Sequence, residues 1–138
     1  MLTGEITGLR AIEESDLEQL LAWRNDPRMR RFFREYRELN MTQHKSWFDA
    51  KVNNDPATRM FAIVDLETKE LMGAAGLCYI DSINRNADFS IYLGVDDLYI
   101  DEDYGPDAGR VLLRYGFEEL NLHKVWSEIY SIDKPKQQ

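Results

Sequence analysis

Three consecutive stretches decide the fold: ADFSIYLGV at residues 87–95, PDAGRVLLRYGFEEL at 106–120 and VWSEIYSI at 125–132. The first alternates apolar and polar residues and reads as a strand. The second is amphipathic and opens on Pro106, which suits a first helical turn because its missing N–H would have no partner there. The third is a strand again. Strand 87–95, helix 106–120 and strand 125–132 together have the length of a βαβ unit. Such a unit is parallel with a right-handed crossover.

Working outward, Leu71–Ile80 is apolar and long enough for a central strand, and Met60–Val64 is a short β-rich run. Glu67-Thr68-Lys69 between them reads as a hairpin turn. The N-terminal half has a different period. Ile6–Ile12 alternates as a first strand. Ser15-Asp16-Leu17-Glu18 then fits a capping box, with Leu17, Leu20 and Leu21 forming the apolar stripe of a helix. Asn25-Asp26-Pro27 ends that helix, since the residue before proline disfavours helix. A short helix is expected over Arg28–Tyr36. A third starts at Thr42 as N-cap, turns Trp47, Phe48 and Val52 inward, and ends at Asn53-Asn54-Asp55-Pro56. The strands before residue 87 form a meander. The fold class is therefore α/β: a mixed, mostly antiparallel sheet with one parallel βαβ unit and helices on both faces.

The 138 residues make a single domain, 1–138, and 43% apolar residues supply a core. The net charge of −8 is unevenly placed. Through Arg59 there are ten bases and ten acids; from Met60 onward there are seven and fifteen. That balance argues against a nucleic-acid partner, which needs a positive face. The arginines between Arg28 and Arg37, interleaved with Phe32, Phe33 and Tyr36, read as the solvated side of a helix. No apolar run approaches the roughly 20 residues of a membrane span, and no secretory signal is visible. One cysteine, Cys78, excludes an internal disulfide and a multi-cysteine zinc site, and fits a reducing cytoplasm. His44 and His123 lie far apart, so no metal site is expected.

The junction Tyr99–Gly109 carries the sharpest chemical signal. A helix that starts just past a strand's C-terminal end points amides and a positive dipole end outward, which suits phosphate. Gly105 lets backbone approach a ligand closely. Gly-Pro also serves simply to start a helix. Cys78 reads as a small buried hydrophobe; Tyr79, Tyr92 and Tyr130 read as core or rim; His123 reads as structural.

The order of elements resembles the GNAT acyltransferases, and within them the ribosomal-protein N-terminal and spermidine acetyltransferases. The resemblance is carried by LRAIEESDLEQLLAWRNDP, HKSWFDAKV, FAIVDLETKELMGAAGL, NRNADFSIYLGV and YGFEELNLHKVWSEIYSID, in the family's order and over most of the chain. It implies an N-acetyltransferase that carries an acetyl group from acetyl-CoA to a primary amine by direct attack. The amine would belong to a protein N-terminus, a polyamine or an amino sugar. Leu93, Gly94 and Val95 would grip the pantetheine arm through backbone groups. Asp103, Tyr104 and Gly105, with Asp107 and Ala108 at the helix start, would hold the pyrophosphate. Arg24 and Asn25, in Trp-Arg-Asn-Asp-Pro, would lie on the acceptor side.

Two departures stand beside the resemblance. The family's loop, Gln/Arg-x-x-Gly-x-Gly/Ala, here has Ile100 and Asp103 at its first two defined positions. Six acids, Asp96, Asp97, Asp101, Glu102, Asp103 and Asp107, crowd the expected pyrophosphate site. This predicts weak acetyl-CoA binding, unless the acids point outward or a divalent cation bridges to phosphate. The chain also stops before the family's last helix and hairpin, so strand 125–132 would be near an exposed edge and could pair with a second copy. The alternative function is thus a degenerate or truncated GNAT-like module used for binding or self-association. No catalytic residue is assigned: Phe89 stands where relatives carry an acid on the splayed strand, and its neighbour Asp88 reads as solvent-facing.

Overall fold

A computed structural model of the chain describes residues 1–30, 38–94 and 103–127. It contains β1 (Leu2–Thr3), β2 (Thr7–Ala11), α1 (Leu17–Asn25), α2 (Pro27–Arg30), α3 (Met41–Trp47), β3 (Arg59–Asp65), β4 (Leu71–Asp81), β5 (Asn86–Leu93), α4 (Tyr104–Arg114) and β6 (Lys124–Trp126). The sheet has six strands in the order β1-β2-β3-β4-β5-β6. Every pair is antiparallel except β5–β6, where Asn86, Ala87 and Asp88 face Lys124, Val125 and Trp126 in parallel. The mixed sheet and its βαβ unit are as the periodicity predicts.

Alternation along the central strands builds two cores. Leu9, Ile63, Ala75, Leu77, Ile91 and Leu93 point to one face and meet Ala108, Val111 and Leu112 of α4. Their neighbours Ala62, Ala74 and Tyr92 point to the other and meet Leu17 and Leu20 of α1, with Trp23, Met41 and Trp47 packed against them. Each fully buried leucine contributes roughly 1.5–3 kcal/mol. Helices thus cover both faces.

Several boundaries are corrected. The helix expected at Arg28–Tyr36 is described only over Pro27–Arg30; its remainder lies outside the described residues. The first helix is not capped by Ser15 and Glu18. Asp16 instead reaches back to the Glu13 amide at 2.8 Å, and its carboxylate takes a two-pronged ion pair from Arg10 at 2.7 and 2.9 Å. The third helix starts on Asn40 rather than Thr42: the Asn40 side chain accepts from the Gln43 amide, and Gln43 accepts from the Asn40 amide. The fourth helix begins at Tyr104, two residues before Pro106, and continues in a wider turn over Tyr115–Glu119. Lys69, with φ of 65°, closes the expected hairpin turn, and the Asp65 carboxylate accepts the Glu67 and Thr68 amides. The last strand is described from Lys124 to Trp126, and the rest of 125–132 lies outside the described residues.

Candidate cofactor and acceptor site

The Gly94 amide donates to the Met72 carbonyl at 2.8 Å, so residue 94 pairs with β4. Peptide groups alternate sides along a strand. Those of Phe89, Ile91 and Leu93 therefore turn away from β4, toward the side on which β6 lies. Among the described residues, β5–β6 pairing ends at Asp88↔Trp126. Of the three residues expected along a pantetheine arm, Leu93 presents its backbone on this side, Gly94 presents its backbone to β4, and Val95 lies outside the described residues.

The first turn of α4 stands over β2 and β3, at the end of the sheet where β5 finishes. Asp103 is its N-cap, and the Asp107 amide donates to the Asp103 carbonyl at 3.2 Å. Gly105 is buried rather than on an exposed loop, and no described glycine has a positive φ, so its backbone is ordinary helix. Ala108 is fully buried and packs into the core. The Asp107 carboxylate is turned away from the helix end: it accepts from the amides of Glu5, Ile6 and Thr7 and from the Thr7 hydroxyl. Burial works to raise its pKa, yet those bonds hold it below the usual carboxylate value. Of the six acids expected around the pyrophosphate, one is thus committed elsewhere and Asp103 stands at the helix start. Asp96, Asp97, Asp101 and Glu102 lie outside the described residues. The tyrosine hydroxyl of Tyr104 donates to Asp65 at 3.2 Å.

The opposite face carries the acceptor-side candidates. Asn25 is structural: its amide donates to the Leu39 carbonyl at 2.8 Å and accepts from the Leu39 amide at 2.9 Å, pinning residue 39 to the end of α1. The Arg24 guanidinium lies 5.7 Å from the centre of the Trp47 ring. His44 stacks on the same Trp47, with centroids 5.1 Å apart. His44 is 1% exposed, and its Nε2 has no hydrogen-bond partner. Burial first, then the Arg24 charge, push its pKa down to about 4, so the imidazole is neutral at pH 7. Burial raises the Tyr92 phenol to about 12, against the opposing influence of Arg24. Arg24, His44, Trp47 and Tyr92 form one cluster. The sequence signal for His44 is its i, i+3 spacing to Trp47 on a helix.

Asp88 departs from expectation. It is 6% exposed, not solvent-facing, because β5 is interior to a sheet covered on both faces. Alternation puts it on the Tyr92 side, while Phe89 packs toward α4. Tyr79 is exposed, with φ of 51° at a bulge in β4, and belongs to the rim. The His123 side chain is exposed, and its backbone amide donates to the Arg85 carbonyl at 2.6 Å. An open cleft of about 450 Å³ lies where β3 begins, lined by Asp55, Thr58, Arg59, Phe61 and Tyr115; none of the predicted site residues lines it. Among the described residues no three His, Cys, Asp or Glu side chains converge as a metal site, and no helix is long and apolar enough to cross a membrane.

With this geometry in view, residues 7–138 match the acetyltransferase (GNAT) domain family. The chain is 27% identical over 132 residues to spermidine N(1)-acetyltransferase of Vibrio cholerae serotype O1, covering 93% of this chain and 71% of that protein. The crystal structure of the Vibrio cholerae spermidine N-acetyltransferase in complex with CoA and spermine superposes with a TM-score of 0.82 at 26% identity, over 95% of this chain and 75% of that one. A dodecameric structure of the same enzyme in an intermediate state gives a TM-score of 0.73 at 27% identity, over 95% and 73%.

Proposed function

The chain belongs to the acetyltransferase (GNAT) family, whose co-substrate is acetyl-CoA, and on that footing we propose that it acetylates a primary amine by direct attack on the thioester. The observation that carries this reading is a row of outward groups on β5: the peptide groups of Phe89, Ile91 and Leu93 turn away from β4, and the row runs to the end of the sheet where Thr7 and Asp65 hold the first turn of α4. The pantetheine arm lies along that row, with Leu93 and Gly94 at its level. The pyrophosphate lies at the first turn of α4, at Asp103, Tyr104 and Gly105. Asp107 and Ala108 serve it through the helix they stabilise rather than through side-chain contact.

In this arrangement a β5 amide polarises the acetyl carbonyl as negative charge grows on its oxygen. The amine nitrogen bonds to the carbonyl carbon, the C–S bond breaks, and the thiolate leaves with the electron pair. Asp88, a buried carboxylate on the Tyr92 face of β5 and opposite Trp126 of β6, takes the amine's proton through water. Arg24 stands on the acceptor side. The excess of acids from Met60 onward favours a cationic acceptor through steering, and a polyamine fits that charge. The relatives' N-acetyltransferase activity supports the enzyme over a purely binding module. The dodecameric structure of the Vibrio cholerae enzyme supports self-association of this chain.

The test incubates the purified chain with acetyl-CoA and, separately, spermidine, an amino sugar and a peptide with a free N-terminus, following CoA thiol release and product mass. The expected outcome is acetylation of at least one amine, spermidine first. No thiol release with any of them, together with no calorimetric signal for acetyl-CoA, overturns the reading.

A further inference from the structure

Asp107 holds two distant parts of the chain together. Its carboxylate, 3% exposed, accepts from the amides of Glu5 at 3.0 Å, Ile6 at 3.1 Å and Thr7 at 2.9 Å, and from the Thr7 hydroxyl at 2.6 Å. Gly4 leaves the room this requires: a Cβ there would stand 2.5 Å from the Asp107 carboxylate oxygen and 2.7 Å from Val111 Cγ2. One turn earlier on the same helix, the Tyr104 hydroxyl donates to Asp65. Thr7 and Asp65 are cross-strand partners in β2–β3. The first turn of α4 is therefore fastened at two points to one rung of the sheet, and farther along the Arg114 guanidinium donates to the Thr3 carbonyl at 2.9 Å.

We propose that Asp107 is a positioning residue for acetyl-CoA: through Glu5, Ile6 and Thr7 it fixes the N-terminal turn of α4 against the sheet, so that the turn is ordered before the pyrophosphate arrives. This rests on the reading of that turn as the pyrophosphate end of the site. A carboxylate can satisfy several amide donors at once, and charge-assisted bonds of this kind are the stronger ones. An asparagine of the same shape turns an NH2 group toward amides that are themselves donors. The turn then has to be ordered at the expense of binding.

The experiment compares wild type with Asp107→Asn and Thr7→Val, the latter losing only the hydroxyl's bond. Amide hydrogen exchange over residues 103–108 is measured without ligand, and kcat and both KM values are measured with spermidine. In Asp107→Asn, exchange at the first turn of α4 rises about tenfold while β3–β5 is unchanged. KM for acetyl-CoA rises about tenfold or more, with kcat and the spermidine KM within about twofold. Thr7→Val moves both readouts the same way by a smaller factor. Unchanged exchange and KM overturn the proposal, as does loss of protection throughout the sheet with kcat falling alongside. If wild type itself shows no response to acetyl-CoA, the reading of the site fails; if wild type responds and both variants respond equally, the positioning role alone fails.

Discussion

Trp23 lays its indole so closely against Gly94 that a Cβ on residue 94 would overlap the ring atoms Cγ, Cδ2 and Cε2. The glycine lies at the end of β5, and the tryptophan stands one residue before Arg24 on α1. The end of α1 is thus seated directly on the end of the strand proposed to hold acetyl-CoA.

Gly94→Ala should destabilise the protein by about 1–3 kcal/mol, the usual cost of forcing extra volume into a packed site. Urea unfolding measures it. Trp23→Leu in the Gly94→Ala background should recover part of the loss by returning space. A Gly94→Ala protein as stable as wild type means the contact is loose.

His44 should make stability fall with acid in a defined window. An unfolded histidine titrates near 6.5, whereas folded His44 does so near 4. As pH drops, the unfolded chain takes up the proton first, so stability is lost progressively between these two values. At pH 5 the loss relative to pH 7 is about 2 kcal/mol. Asp16 and Asp107 do not confuse this window: their pKa values are held below 3.8, so their share is lost only as pH falls below that. Urea midpoints for wild type and His44→Leu at pH 7 and 5 check it. The variant should show little change, and a wild type equally stable at both pH values refutes the assignment.

Asp88→Asn keeps the side chain's shape and removes its basicity. Proton removal by a positioned group contributes typically 10²–10⁴-fold, so kcat should fall by at least about 10². KM for acetyl-CoA should hold, and the rise of rate with pH should shift. Steady-state kinetics from pH 6 to 9 decides; an unaltered kcat places the base elsewhere.

Gly105→Val tests the helix start. Because φ at Gly105 is not in the left-handed region, valine brings no backbone strain. Crowding at a buried position should lower the melting temperature by a few degrees. Acetyl-CoA affinity should fall at least about tenfold, as that crowding displaces the helix start proposed to hold the pyrophosphate. Calorimetry and thermal melts read the two separately. Retained affinity would put the phosphates elsewhere.

The elements that sequence periodicity predicts are those with many residues voting. β4 and the α4 helix with its wider C-terminal turn were readable within two residues of their observed limits because their apolar patterns are long. β1 has two residues, too few for a pattern. At the first helix, Glu13-Glu14-Ser15-Asp16 and Ser15-Asp16-Leu17-Glu18 offer competing caps, and Arg10 tips the choice by engaging Asp16. The site was less legible for a different reason. Asn25 and Asp107 take their roles from partners 14 and about 100 residues away, which local pattern does not contain. Asp88 was misread because two-sided cover of a strand is a tertiary fact.

The strict succession of strands has a consequence for how the protein is born. Each strand pairs with the one synthesised just before it. β3, β4 and β5 are joined through residues 66–70 and 82–85 alone, so this meander closes with little loop entropy once it leaves the ribosome. β6 is different: it reaches β5 in parallel only after α4 has been made and folded across the sheet. The face proposed to meet the acceptor, built on α1, α3 and Tyr92, is therefore complete earlier in translation than the helix start proposed to hold acetyl-CoA. A nascent chain would own a place for the amine before it owned a place for the acetyl donor, and competence would arrive in a single late step.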